Sequence, residues 1–244
     1  MKIKEIETFL MHAAPPEAGG WSARNWLFVR ISTDEGIYGV GEASGWPRVV
    51  ETAIEDLTPI LIDEDPFHIE KLWQKMMVAM MGHGMTGIVG SGAMTGIEMA
   101  LWDIKGKALG VPVWNLLGGK MRDRVKLYAH AHKAERAREL VDRGFSALKT
   151  GGIKNCVESV ESIRKEVGLE VDLMVDVHGP PWLTTRDAIA LGHALEEFDL
   201  LFYEDPVAPE NIEAIARVAS AVDLPIAAGE RHATMWGVRE LIER

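Results

Sequence analysis

The second half of the chain repeats a short apolar strand followed by an amphipathic helix, and this repeat limits the possible folds more than any other feature. The five strands begin about 22 to 28 residues apart and are predicted at 125–131, 147–150, 173–177, 201–203 and 226–228. Strands and helices that alternate in this way form parallel sheets, in which each helix crosses over to the next strand. We therefore predict an α/β domain with five βα units.

Two α/β architectures fit five units: an open sheet of the flavodoxin type and part of a (β/α) barrel. Polar residues recur at the C-terminal end of every predicted strand, which is where (β/α) barrels place their chemistry. The preferred prediction is therefore a TIM-type barrel of which the first five βα units are present, with residues 241–244 inside the fifth helix.

The first 123 residues show a different order, with strands first and helices afterwards. Strands are predicted at 2–11, 26–33 and 37–42, and helices at 49–61, 66–81 and 93–109. Asp34-Glu35-Gly36 predicts a hairpin between the second and third strands, and Gly110 is well placed to end the last helix. Pro- and Gly-rich loops are predicted at 12–25 and 82–92. This order indicates an α+β domain at 1–123, followed by the barrel domain at 124–244.

The composition limits the classes of partner. The chain has 26 basic and 37 acidic residues, a net charge of −11, which argues against nucleic acid and anionic membranes because both require a basic surface. A single cysteine, Cys156, excludes an internal disulfide. The N-terminus lacks the apolar core of a signal peptide, and no run approaches the roughly eighteen apolar residues of a membrane span. We expect a cytoplasmic protein that forms a homo-oligomer.

Three acidic residues directly follow successive predicted strands. Asp176, Glu204 and Glu230 are 28 and 26 residues apart, each interval close to one βα unit, so their side chains are expected at one height around the barrel mouth. Any one of them alone is better explained as a helix N-cap or a surface ion-pair partner. Three in register favour a site for a divalent metal, and three hard oxygen ligands suit Mg²⁺.

Two further residues lie where they could take part in catalysis. Lys149 ends the second predicted strand, where it could stabilise an enolate or, with a lowered pKa, act as a base. His178 lies two residues after Asp176, so strand alternation points both side chains the same way. An imidazole near a hard metal can act as an acid or a base. His130 and His132 share a face at the end of the first strand and could line a pocket.

The sequence resembles the enolase superfamily in its mandelate racemase/muconate lactonizing enzyme branch. The resemblance is carried by residues 96–107 and 115–119 and by the acids Asp176, Glu204 and Glu230, which match the three metal ligands of the family. It implies an α+β capping domain over a modified TIM barrel. It also implies Mg²⁺ that chelates a substrate carboxylate, with a base that removes the α-proton to give an enediolate.

Within that branch, residues 176–179, 204–206 and 229–231 are most similar to acid-sugar dehydratases of the galactonate dehydratase type. This likeness implies that His178 is an acid/base that assists loss of the β-hydroxyl group. Racemases of the branch commonly carry Lys-x-Lys on the second strand, whereas here Lys149 is followed at the second position by Gly151. A hydroxy-acid racemase or epimerase is therefore the less favoured alternative.

The same resemblance implies a small carboxylate, an acid sugar, as the substrate. Lys149 and Arg231 are expected to neutralise its charge, and Arg231, His130 and Trp21 are expected to contact it. The loops at 12–25 and 43–50 are expected to close over the sugar and set specificity.

One departure from the family concerns its second catalytic unit. The family carries an Asp–His dyad on the sixth and seventh barrel strands, which have no counterpart here. We therefore expect a truncated chain, or one that a partner completes. A non-catalytic metal-binding fragment or an assembly subunit is the alternative from a different class.

Overall fold

The computed structural model describes residues 1–12, 25–81 and 87–244, and the chain folds as two compact units, Met1–Asp123 and Arg124–Arg244. Trp21, most of the predicted loop at 12–25 and part of the glycine-rich loop at 82–92 lie outside the described residues. Within the described ranges, no helix is both long enough and apolar enough to cross a membrane.

The first unit begins with an antiparallel meander and continues with helices, in the order that the sequence predicts. Its strands are β1 (Ile3–His12), β2 (Asn25–Thr33) and β3 (Tyr38–Ala43), paired in the order β1-β2-β3. Its helices are α1 (Pro47–Leu61), α2 (Ile69–Met81), α3 (Ile88–Leu109) and the short α4 (Val113–Leu116). Gly110 ends α3 in the left-handed conformation, as predicted, and its N–H bonds back to carbonyl groups of the last turn.

The core of this unit forms where the meander packs on α3. Alternate residues of β2 are buried, among them Leu27, Val29 and Ile31, so one face of the sheet is apolar. Small residues let the helix approach closely: a Cβ at Gly41 would lie 2.0 Å from the carbonyl oxygen of Gly96 on α3. The glycines therefore fix the distance between sheet and helix.

The second unit contains five parallel strands, each followed by a helix. The strands are β4 (Ala129–His130), β5 (Ala147–Gly151), β6 (Asp172–Asp176), β7 (Leu200–Glu204) and β8 (Ile226–Ala227). The helices are α5 (Ala134–Asp142), α6 (Cys156–Val167), α7 (Thr185–Leu195), α8 (Ile212–Ala221) and α9 (Thr234–Glu243). A core of apolar side chains from strands and helices fills this unit, with Leu148, Leu173 and Tyr203 fully buried. The predicted α/β unit with five strand–helix repeats is confirmed.

The order of these strands in the sheet decides between the two architectures considered from sequence. They pair as β4-β5-β6-β7-β8, each beside the next in the chain. A flavodoxin-type sheet has the order 2-1-3-4-5 and reverses direction at a switch point, so that alternative is wrong. Sequential parallel pairing is the order found in a (β/α) barrel.

The first strand of the second unit is shorter than predicted. Residues 125–128 are not part of β4, and the apolar side chains of Val125 and Leu127, which suggested a longer strand, are exposed. Strand β4 lies at the edge of the described sheet and pairs only with β5. The alternating apolar pattern therefore overestimates strand length where one neighbour is lacking.

Candidate metal centre

The register of the central strands brings two of the predicted acids together. Asp176 pairs with Glu204 across β6 and β7, and Gly151 pairs with Asp176 across β5 and β6. The Nζ atom of Lys149 lies 2.8 Å from Asp176 Oδ2 and 2.5 Å from Glu204 Oε2. Both carboxylates are largely buried and converge on a single cationic group. We call Lys149, Asp176 and Glu204 the lysine half of the site.

The environment of Lys149 fixes its charge. Burial alone would lower the pKa of this ammonium group, but hydrogen bonds to Asp176 and Glu204 outweigh burial and raise its pKa. A general base at neutral pH would need a shift in the other direction. While it bonds both acids, the raised pKa keeps Lys149 protonated, which suits charge neutralisation and not proton abstraction.

The third predicted acid, Glu230, lies in the turn after β8, and its side chain is 42% exposed. Oε1 of Glu230 lies 3.4 Å from Nδ1 of His178 and 3.6 Å from Nε of Arg231. The same Nδ1 of His178 lies 3.6 Å from Asp176 Oδ1. The backbone N–H of His178 donates to Asp176 Oδ1 at 3.0 Å, which fixes the start of the loop after β6. His178 thus lies between Asp176 and Glu230.

A fourth acid, Asp205, was not assigned a role from sequence and is fully buried in this cluster. One ligand atom from each of His178, Asp205 and Glu230 lies within 4.8 Å of the others. Burial, followed by the negative charges of Glu230, Glu204 and Asp176, raises the pKa of Asp205 to about 6, against a smaller opposing effect of His178. We call His178, Asp205 and Glu230 the histidine half of the site.

The backbone explains why strand alternation misses Asp205. It follows Glu204 directly, so an extended strand would point its side chain to the opposite face, toward the helices. However, Asp205 has φ of +45°, in the left-handed region that few non-glycine residues adopt. Its strand ends there, and the carboxylate comes to lie with the other acids. A strained backbone conformation of this kind is often found at functional sites.

The predicted trio is therefore divided between the two halves. Asp176 and Glu204 both bond Lys149, whereas Glu230 groups with His178 and Asp205. Among the described residues, His178, Asp205 and Glu230 are the group whose possible metal-ligand atoms lie within 4.8 Å of one another. The donor set fits a hard divalent cation, because buried carboxylates that already converge on an ammonium group can also converge on an ion. The assignment of Asp176, Glu204 and Glu230 to one Mg²⁺ stays a prediction.

The residues predicted to contact substrate lie in different places. The guanidinium of Arg231 lies 5.2 Å from the ring centre of Trp182, and the rings of Trp182 and His178 are 6.3 Å apart. Trp182, which was not singled out from sequence, thus connects Arg231 to the histidine half. His130 ends β4 beside Lys149 in the sheet register and is exposed.

Comparisons with known proteins agree with this architecture. The family model described as "Mandelate racemase / muconate lactonizing enzyme, N-terminal domain" matches residues 6–118, and "Enolase C-terminal domain-like" matches residues 132–244. A solved structure of the 3,6-anhydro-D-galactonate cycloisomerase from Zobellia galactanivorans is 31% identical. It has a TM-score of 0.89 and covers 100% of this chain and 69% of its own. A member of the enolase superfamily from Salmonella Typhimurium is 31% identical with a TM-score of 0.85, covering 99% of this chain and 71% of its own.

Curated relatives are more similar in sequence. A D-galactonate dehydratase from Verminephrobacter eiseniae is 38% identical over 95% of this chain, and one from Variovorax paradoxus is 36% identical over 100% of it. The chain spans 62% and 65%, respectively, of the lengths of these two relatives.

Proposed function

The chain belongs to the enolase superfamily, in its mandelate racemase/muconate lactonizing enzyme branch, and from this membership we propose that it serves the Mg²⁺-dependent dehydration of an acid sugar. Residues 1–123 would be the capping domain and 124–244 the barrel domain of such a hydro-lyase. The similarity to enzymes named D-galactonate dehydratase supports an aldonate as the substrate class. We expect the enzyme to be a cytoplasmic homo-oligomer.

The observation that carries the proposal is the convergence of Asp176 and Glu204 on one cationic position at the strand ends, with His178 beside them. Asp176, Glu204 and Glu230 would hold Mg²⁺ through carboxylate oxygens. When bound, Mg²⁺ supplies a Lewis acid that stabilises the negative charge formed as the α-proton leaves. Lys149 is already charged, so it adds to that stabilisation when the substrate carboxylate approaches.

The proposed elimination assigns the proton transfers to stated atoms. A ring nitrogen of His178 would take the proton from C2 as the C–H bond breaks to give an enediolate, and would then return that proton to the departing hydroxyl group as the C3–O bond breaks. Water leaves, and the enol product tautomerises to a 2-keto-3-deoxy acid. Arg231 presents a guanidinium group of the geometry that pairs with a carboxylate, so it would orient the substrate. Its position over Trp182 limits its freedom to move.

The structure supplies a specific argument against the two-lysine racemase. A Cβ at Gly151 would lie 2.3 Å from the backbone carbonyl oxygen of Asp176, far inside van der Waals contact. Any side chain at this position, including a second lysine, would push β5 away from β6 and displace Asp176. Elimination with one lysine and one histidine therefore fits this backbone better than racemisation.

Turnover of a set of acid sugars in D₂O with Mg²⁺ tests the reaction. We expect a 2-keto-3-deoxy acid from at least one aldonate, detected by NMR, and exchange of the C2 proton for deuterium. Exchange with inversion and without loss of water would favour the racemase instead. Neither product with any acid, together with measurable Mg²⁺ binding, would support the non-catalytic alternative.

Calorimetric titration of Mg²⁺ tests the metal assignment separately. Glu204→Gln removes one of the buried carboxylates, so we expect Mg²⁺ affinity to fall by at least roughly tenfold. Glu213→Gln is the matched control, because Glu213 is exposed and pairs with Arg217 on α8. Unchanged Mg²⁺ affinity in Glu204→Gln would refute the metal site.

A further inference from the structure

Three polar atoms of the histidine half are buried without a hydrogen-bond partner among the described residues. They are Nδ1 of His178 and both carboxylate oxygens of Asp205. Asp205 is completely buried, and ligand atoms of His178, Asp205 and Glu230 lie within 4.8 Å of one another. The unpartnered atoms therefore belong to one small group of residues.

Such a group is costly unless something satisfies it. A buried carboxylate with neither oxygen bonded loses its hydration and gains nothing in return, and native proteins rarely leave such groups unpaired. Asp205 also faces three other carboxylates, Glu230, Glu204 and Asp176. The ammonium group of Lys149 is hydrogen-bonded to Asp176 and Glu204, on the other half of the site. In the histidine half, Glu230 pairs with Arg231 at 3.6 Å, but neither oxygen of Asp205 has a partner among the described residues. The unsatisfied negative charge therefore lies on Asp205, and a cation would balance it better than a water molecule would.

We propose that His178, Asp205 and Glu230 form a second divalent-cation position, which shares Glu230 with the proposed Mg²⁺ site but uses neither Asp176 nor Glu204. Its donor set is one imidazole nitrogen and two carboxylates. This set suits borderline ions such as Zn²⁺ and Co²⁺, which accept nitrogen and oxygen together, and suits Mg²⁺ less, because Mg²⁺ prefers oxygen alone. The two positions are adjacent but favour different ions.

Binding of such an ion has a consequence for the reaction. An imidazole that coordinates a metal through one nitrogen has no lone pair left to take up a second proton, so it cannot shuttle a proton to a leaving group, and Zn²⁺ or Co²⁺ at this position would inhibit turnover. This consequence rests on the proposed function, in which His178 is the acid. The binding itself does not depend on it.

Titration of the full chain with Co²⁺ alone tests the proposal. Visible absorption follows binding, and proton NMR reports whether an imidazole ring N–H is shifted by the paramagnetic ion, which requires a coordinated histidine. We expect His178→Asn and Asp205→Asn each to weaken Co²⁺ binding by at least roughly tenfold, and His178→Asn to abolish the shifted signal. We expect Glu204→Gln to leave Co²⁺ affinity nearly unchanged while it weakens Mg²⁺ binding.

His193→Asn is the control for adventitious binding, because His193 forms a surface pair with Glu196 of the kind that captures metal nonspecifically. It should leave Co²⁺ affinity unchanged. Wild-type affinity in His178→Asn would overturn the proposal, as would an equal loss of Co²⁺ affinity in Glu204→Gln, which would indicate one common site. If Asp205→Asn does not fold, His178→Asn decides alone. Retained Mg²⁺ affinity in Glu204→Gln would contradict the proposed function and leave the second position standing.

Discussion

The two halves of the metal centre contain similar acids and differ in what neutralises them. In the lysine half, two largely buried carboxylates share one ammonium group at 2.8 and 2.5 Å. In the histidine half, Asp205 is fully buried, and neither of its oxygens has a partner among the described residues. Both acids of the lysine half thus bond a cation that the chain supplies, whereas Asp205 in the histidine half has no such partner among the described residues.

This difference shows that acid count alone does not locate a cation site. Lys149 already satisfies Asp176 and Glu204, so a divalent ion there must compete with, or move, an ammonium group. Glu230 lies near His178 and Arg231, whereas Asp205 has no hydrogen-bond partner among the described residues. Three changes should therefore have different effects. The first removes the positive charge of the lysine half, the second alters the spacing of its strands, and the third removes a negative charge from the histidine half.

The largest effect is expected from Lys149→Met, which removes the positive charge from the lysine half. Breaking a buried ion pair leaves uncompensated charges, so we expect the free energy of unfolding without metal to fall by about 3–5 kcal/mol. Urea unfolding followed by circular dichroism measures it. Added Mg²⁺ should restore more stability to this variant than to the wild type, since the ion replaces the lost charge.

Lys126→Met is the matched control, because the ammonium of Lys126 also pairs with an acid of β6, Asp172, but is exposed. Exposed pairs contribute about 0–1 kcal/mol, so this variant should unfold almost as the wild type does. Equal losses in the two variants would mean that Lys149 is an ordinary surface lysine in solution.

A smaller effect is expected from Gly151→Ala, which alters the spacing of the lysine half without changing its charge. The new Cβ would lie 2.3 Å from the carbonyl oxygen of Asp176 and force β5 and β6 apart, a strain of about 1–3 kcal/mol. Mg²⁺ affinity should fall as well, because Asp176 moves. Gly237→Ala on α9, where the nearest atom is 3.8 Å away, is the control and should be neutral or stabilising. Full Mg²⁺ affinity in Gly151→Ala would show that the strand spacing does not position the ligands.

The smallest effect, and one of opposite sign, is expected from Asp205→Asn in the histidine half. The folded chain raises the pKa of Asp205 from its usual value near 4 to about 6, so it binds this proton more tightly than the unfolded chain does. The ionised group therefore destabilises the metal-free protein increasingly as pH rises from about 4 to about 6, and fully above that. Two pKa units correspond to about 3 kcal/mol, part of which the buried amide of asparagine offsets.

We therefore expect metal-free Asp205→Asn to be about 1–2 kcal/mol more stable than the wild type near pH 8, with no gain near pH 4. Urea unfolding at the two pH values measures the difference. Asp142→Asn is the control, since Asp142 is exposed on α5 and should change stability by less than about 0.5 kcal/mol at either pH. Loss of stability in Asp205→Asn near pH 8 would show that the carboxylate has a counter-charge in solution.

The sequence predicts those features of the site that depend on spacing along the chain. Asp176 and Glu204 are one βα unit apart, and parallel pairing places them side by side, as the register shows. The strand order and the end of α3 at Gly110 likewise follow from local patterns. These are properties of regular backbone, which periodicity captures.

Features that depend on irregular backbone or on neighbouring charges are not predictable in this way. Asp205 joins the cluster only because its φ of +45° breaks the alternation that Glu204 obeys. The pKa of Lys149 rises because Asp176 and Glu204 bond it. From sequence alone, a lowered pKa and a role as a base were equally open. Glu230 follows β8 by three residues and lies in a turn, so strand register does not fix its distance to Asp176.

The central claim, that the acids at these strand ends bind a divalent cation, is tested most directly by anomalous diffraction from crystals of the protein grown with Mn²⁺ as a substitute for Mg²⁺. We expect an anomalous peak within bonding distance of carboxylate oxygens of Asp176, Glu204 and Glu230, with the ammonium group of Lys149 moved aside. Peaks only at exposed surface carboxylates, with Lys149 still bonded to Asp176 and Glu204, would contradict it.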